Sequence, residues 1–142
     1  MKPILTLFIA LFLCSSTFLS AQKGGKLVGS WKKIYTKITD ADGQIREYQI
    51  EDPVEQQVRI YNRTHYAFGS QNADGSLGGA GGGRYKILEK GVAEHWRDYH
   101  IAGGGMVGTS TKFEYSVKND TLSLKGMLPN NALWEEKFVR IR

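Results

Sequence analysis

From Val28 to the C-terminus, apolar and polar residues alternate with a period of two, and a helical period of 3.6 is almost nowhere present. Such a pattern marks strands that bury one face. Alternating segments fall near 28–39, 44–50, 56–62, 64–69, 84–89, 92–99, 109–117, 121–126 and 132–141. Turn-favouring residues separate them at Asp40–Gly43, Asn62–Arg63, Glu89–Gly91, Lys118–Asp120 and Pro129–Asn131. Segment 52–59 has a second reading, because Asp52 and Pro53 also suit the start of a helical turn. About nine short strands in sequence-adjacent hairpins predict an all-β fold, an up-and-down antiparallel β-barrel of about eight to ten strands. Closure removes the exposed edges that an open sheet would have to protect.

The N-terminal 21 residues follow a different logic. Lys2 supplies a short positive segment, Ile4 to Leu13 is almost wholly apolar, and Leu19-Ser20-Ala21 places a small residue before Gln22. This is the form of a cleavable signal peptide. Its apolar run is too short for a stable membrane span. The expected organisation is therefore a signal peptide at 1–21 and one barrel domain at 22–142, exported to the periplasm or secreted. Cys14, the single cysteine, invites a lipoprotein reading, but Phe12 and Leu13 before it are large and it sits inside the apolar run. The mature chain then has no cysteine, so no disulfide stabilises it in an oxidising compartment.

Taking 21 residues from 142 leaves 121, the length of one domain. Removing Lys2 from 19 basic residues leaves 18 against 14 acidic ones, a formal charge of +4. These charges are scattered rather than blocked, and no Arg-rich run or nucleic-acid motif accompanies them, which excludes nucleic acid as the expected partner. The glycines at 75, 78, 79, 81, 82 and 83 do not form a phosphate cradle, since Arg84 and Tyr85 on a strand follow them instead of Lys-Ser/Thr on a helix. A bend at Gly82 and Gly83, with a loop tip near Asp74 to Gly79, is expected. His95 and His100 are five apart and so lie on opposite faces of a regular strand, which prevents them from ligating one ion. Neither a metal nor a cofactor is assigned.

Most strands have a plain inner face. Thr111, Phe113, Tyr115 and Val117 share one side, and Leu122 with Leu124, Tyr85 with Ile87, Tyr66 with Phe68, and Val58 with Ile60 form apolar pairs in phase. Two strands break the pattern. From Val92, one phase carries Trp96 with Glu94, Asp98 and His100, and the other carries Ala93, His95, Arg97 and Tyr99. From Trp134, the aromatic phase also carries Glu136 and Arg140. Glu94, Glu136 and Arg140 inside a barrel would need partners, because an unpaired buried charge costs several kcal/mol. Two readings fit: a structural ion-pair network, or a polar floor that orients a ligand in an otherwise apolar cavity.

Gly29-Ser30-Trp31 in the first strand, with Arg140 or Arg142 in the last, resembles the calycin arrangement in which an Arg covers the Trp at the closed end. The ordered set His65-Tyr66-Ala67-Phe68, Gly81 to Tyr85, Glu94-His95 with Tyr99, Val107-Gly108, and Glu136, Phe138, Arg140 resembles the small lipocalin-like domains of exported bacterial proteins, a family of unknown function. Phe138 stands where that family would have Trp. The resemblance implies a barrel with an internal cavity, and it transfers no catalytic residue.

The expected function is binding of a small hydrophobic or amphipathic molecule. Tyr35, Phe68, Tyr85, Glu94, Phe113, Tyr115, Glu136 and Arg140 are the candidate lining, and Gly29, Trp31 and Arg140 are structural. One alternative is a non-catalytic surface module with a filled barrel, and an interior under about 300 Å³ would count against binding. The other is a small-molecule enzyme using Glu94, His95 and Glu136 as acid and base. No nucleophile motif accompanies them. A monomer or weak dimer is expected.

Overall fold

The computed structural model describes residues 25–50, 56–101 and 106–142. The expected signal peptide, Cys14, residues 52–55 of the ambiguous segment and the Gly103–Gly105 run lie outside the described residues. Ten strands are formed: β1 (Gly29–Thr39), β2 (Ile45–Gln49), β3 (Gln56–Tyr61), β4 (His65–Gln71), β5 (Leu77–Glu89), β6 (Val92–Trp96), β7 (Tyr99–His100), β8 (Ser110–Lys118), β9 (Thr121–Met127) and β10 (Leu133–Arg140). Eight of them pair antiparallel in the order β10-β9-β8-β6-β5-β4-β3-β1, and β1 pairs back onto β10. The result is a closed eight-stranded antiparallel barrel, as the alternation predicts. β2 continues along β1 where β3 ends, and β7 continues along β5 where β6 ends. Among the described residues, no helix is long and apolar enough to cross a membrane.

The closed end is built on Trp31, which is fully buried and donates from Nε1 to the Leu27 carbonyl at 2.8 Å. The Arg140 guanidinium lies 4.1 Å from the centre of the Trp31 rings and donates to the Val28 carbonyl at 3.0 Å. Gly29 has a φ of 141°, and a Cβ there would run into that guanidinium. Of the two C-terminal arginines, Arg140 is thus the cover. Arg142 pairs with Asp120 at the surface.

Three departures from simple alternation decide what faces inward. In β1 the pairing with β10 jumps from Lys33↔Phe138 to Tyr35↔Lys137, so Ile34 is an extra residue and the phase reverses. A β-bulge of this kind exchanges the two faces of everything after it. Trp31 and Lys33 face inward, then Thr36 and Ile38 do. In β3 the inward residues are Arg59 and Tyr61, while Ile60 is half exposed, the reverse of the expected Val58/Ile60 core pair. The register Trp31↔Arg59 and Gly29↔Tyr61 sets this phase, because both partners of the inward Trp31 pair share its face. In the third case, chain 92–100 divides into β6 and β7 around Arg97 and Asp98.

The expected bend at Gly82 and Gly83 is replaced by continuous strand. β4 and β5 pair without interruption from His65↔Arg84 to Ser70↔Gly79. A Cβ at Gly82 would meet the Tyr66 carbonyl and the Tyr99 hydroxyl, and one at Gly83 would meet the Trp96 carbonyl. Close approach of the β6–β7 segment, which a side chain would block, is what these glycines permit. The hairpin tip lies at Asn72–Ser76, where Gly75 has a φ of 83°.

Candidate functional site

The end of the barrel opposite Trp31 holds a cavity of about 240 Å³. Its apolar wall comes from Phe68, Phe113, Leu128, Trp134 and Met106. Its polar side comes from Lys33, Gln57, Arg59, His95, Arg97 and Glu136. Alternation places these groups together, because each strand sends every second residue inward.

Glu136 is 2% exposed and sits between two cations, 2.8 Å from Lys33 Nζ and 3.2 Å from Arg59 Nη2. Burial pushes its carboxyl pKa up, yet the nearby Arg59 and Lys33 outweigh that and hold it below the usual carboxylate value. Burial acts against the Arg59 charge in the same way, and Glu136 more than restores it. The Arg59 guanidinium also lies 4.8 Å from the Phe138 ring centre and 5.7 Å from that of Phe68.

His95 stands beside this pair inside an aromatic box. Tyr61, Tyr66, Tyr85 and Phe113 have ring centres 4.8 to 5.7 Å from the imidazole. Nε2 is 3.1 Å from the Tyr61 hydroxyl, and Nδ1 has no hydrogen-bond partner. Burial, then Arg59 and Arg97, lower the His95 pKa to about 3, so the ring is neutral at ordinary pH. Burial likewise pushes Tyr61 up to about 12.

Arg97 occupies the break between β6 and β7, with its backbone N–H donating to the Thr109 carbonyl. Its Nη1 lies 3.0 Å from the Met106 sulfur, a weak acceptor, and its Nε is buried without a partner. Among the described residues, no carboxylate pairs with it.

Of the candidate lining residues, Phe68, Phe113 and Glu136 reach this cavity. Tyr85 faces inward but lies deeper, donating its hydroxyl to the Asn62 carbonyl at 2.7 Å. Tyr115 keeps the inward phase of Phe113 and packs half-buried against the core outside this cavity, where it also borders a separate open groove of about 530 Å³ over β8–β10 whose walls carry Glu114, Lys125, Glu135 and Lys137. Tyr35 lies on the outer face, because the Ile34 bulge reverses it; its hydroxyl donates to Glu47 at 2.9 Å. Glu94 points outward and accepts from the Ser110 hydroxyl at 2.9 Å. Arg140 is at the far end with Trp31. The expected Glu94/Glu136/Arg140 cluster is therefore replaced by Glu136 with Lys33 and Arg59, and Glu94 does not converge with His95 and Glu136 as an acid/base set.

Lys33, Arg59, Arg97 and Trp134 line the cavity without having been among the expected lining residues, although Trp134 shares the phase of Glu136 that alternation reveals. Arg59 had a signal, since an Arg between Val58 and Ile60 is a charge inside an apolar run. His95 and His100 both line the cavity in spite of their spacing, because the chain is not one regular strand between them. Among the described residues, no group of three or more potential ligands could hold a metal ion.

No protein-family model matches the chain, and no curated protein matches it in sequence. Solved structures do. A lipocalin-like protein from Bacteroides uniformis ATCC 8492 superposes with a TM-score of 0.51 at 14% identity, over 82% of this chain and 100% of that one. The fold is that of a lipocalin-like barrel. A redesigned β-barrel is also similar, with a TM-score of 0.53 at 12% identity over 87% of this chain and 98% of its own. At such identities the likeness concerns the lipocalin-like fold alone.

Proposed function

We propose that this lipocalin-like protein is an exported, non-catalytic binding protein that holds a small amphipathic molecule in the open-end cavity. The observation that carries this reading is the pairing of an apolar wall, Phe68, Phe113 and Trp134, with a charged wall containing unpartnered polar atoms on His95, Arg59 and Arg97. A barrel filled only for stability would hold apolar side chains there, because each unsatisfied buried polar atom costs about 1–3 kcal/mol. The volume limits the ligand. At about 240 Å³ the interior falls under the usual lower bound of about 300 Å³, which counts against binding and, where binding holds, restricts it to a cargo smaller than a lipid. It also favours the second reading, a filled barrel working through its surface.

Native mass spectrometry of the purified protein, joined to Trp fluorescence, separates the two. The binding reading expects a bound small mass, and an emission shift on its removal that Trp134→Phe abolishes. No bound mass, and no shift with cell-envelope extracts, would leave the filled-barrel reading standing. For the export part of the proposal, intact mass of the protein recovered outside the cytoplasm is expected to begin at Gln22.

A further inference from the structure

The cavity's charge composition carries the binding reading one step further, to a class of ligand. Three cations, Lys33, Arg59 and Arg97, line a space that holds one carboxylate among the described residues, Glu136. Lys33 and Arg59 both engage that carboxylate. Among the described residues, Arg97 is left with neutral partners, the Tyr66 hydroxyl and the Met106 thioether, and with an unsatisfied Nε. A guanidinium in a partly water-excluded site, without a counter-charge, is unfavourable until an anion reaches it. Resting on the binding reading above, we infer that the ligand is a small organic acid whose carboxylate is held by Arg97 and whose apolar body lies on Phe68, Phe113 and Trp134.

Three features of the wall restrict the acid. The guanidinium fork matches a planar carboxylate with two parallel N–H donors. Glu136, in the same wall, repels a second negative charge and so disfavours dianions. The small cavity admits a short or single-ring body and excludes a long acyl chain. His95 Nδ1, buried without a partner in the same cavity, offers one further polar contact to the bound molecule.

The test is calorimetric titration of the ligand-stripped protein with 3-phenylpropionate and hexanoate, each against its uncharged amide of the same shape. A charge-assisted contact predicts that the acid binds tighter than the amide by about 10-fold or more. Arg97→Gln is expected to lower acid affinity to that of the amide and to leave the amide unchanged. Glutamine at this position strands no acid, and the acid-against-amide comparison in the unaltered protein stands whether or not the variant folds. Equal binding of acid and amide overturns the inference and leaves the binding reading intact; it is also the result expected if a carboxylate of the chain itself already neutralises Arg97. Failure of both acids to bind overturns it as well. In that case the native mass spectrum decides the rest, since a bound neutral molecule preserves the binding reading and an empty barrel removes both.

Discussion

Glu136 and His95 are the two titratable groups on which the interior depends, and both make the barrel sensitive to acid. His95 is 4% exposed and its pKa falls from 6.5 to about 3 on folding, so the unfolded chain takes up the proton first. Its contribution is complete above about pH 6.5 and is lost as pH falls, at about 1.4 kcal/mol per pH unit until about pH 3. Glu136 acts in the same direction, since its carboxyl is held below the usual value in the folded state. Its contribution is present above the ordinary carboxylate pKa and is lost as pH falls through the folded value. Urea unfolding followed from pH 7.5 to 4 is therefore expected to show falling stability, with a shallower slope in His95→Gln. Glu136→Gln at neutral pH leaves Lys33 and Arg59 buried against each other, and unfolding experiments should show a loss of about 3–5 kcal/mol.

At the scale of elements, β1 and β5 show how a strand's position in the barrel overrides its own pattern. The extra residue Ile34 turns the second half of β1 over, and the same half pairs with β2 instead of β3. β5 accepts β6 on its C-terminal part and β7 on its glycine-rich part. Gly83 sits where the crossing segment comes nearest, with Trp96 O and Asp98 N in the space a Cβ would take. Gly83→Ala is thus expected to cost about 1–3 kcal/mol, the usual penalty for overpacking. Gly69, on the neighbouring strand, has nothing within 4 Å of a Cβ. Gly69→Ala is expected to be neutral or stabilising by about 0.5–1 kcal/mol, because alanine loses less backbone freedom on folding. Chemical unfolding of the two variants side by side checks both signs.

For the whole molecule, the seam between the first and last strands closes the barrel, and Arg140 over Trp31 locks it. The two groups are distant in sequence, so their contact forms only when the remaining strands are in register. Arg140→Ala removes a guanidinium stacked on a buried indole and two backbone hydrogen bonds, and is expected to cost about 2 kcal/mol. Arg140→Lys keeps the charge without the planar stack and should fall between the two. Because the cavity lies at the other end, ligand affinity in either variant that still folds should equal that of the unaltered protein. The experiment is a thermal melt paired with the calorimetric titration. Plug and cavity are thus separable, one serving closure and the other binding.

Alternation by itself determined that this chain is a closed antiparallel barrel, because a period of two is a local property and each strand displays it in its own residues. The Trp31 plug was legible for a similar reason: Gly29 and Trp31 are neighbours in sequence, and an Arg in the closing strand completes them. The cavity was legible only in part. Phe68, Phe113 and Glu136 lie on strands whose phase is regular or strongly apolar, and reading every second residue finds them. Lys33 and Arg97 share the phases of Trp31 and His95, but a lone charge there reads as solvent-facing until the assembled sheet brings its neighbours together. Tyr35 was misplaced because its facing depends on the Ile34 bulge, Glu94 and Arg59 because theirs depend on inter-strand register, and His100 because the chain breaks after Trp96. Those three features follow from which partner each strand meets across the barrel. Only the assembled sheet decides them, since one residue of slip moves a charge from solvent to core.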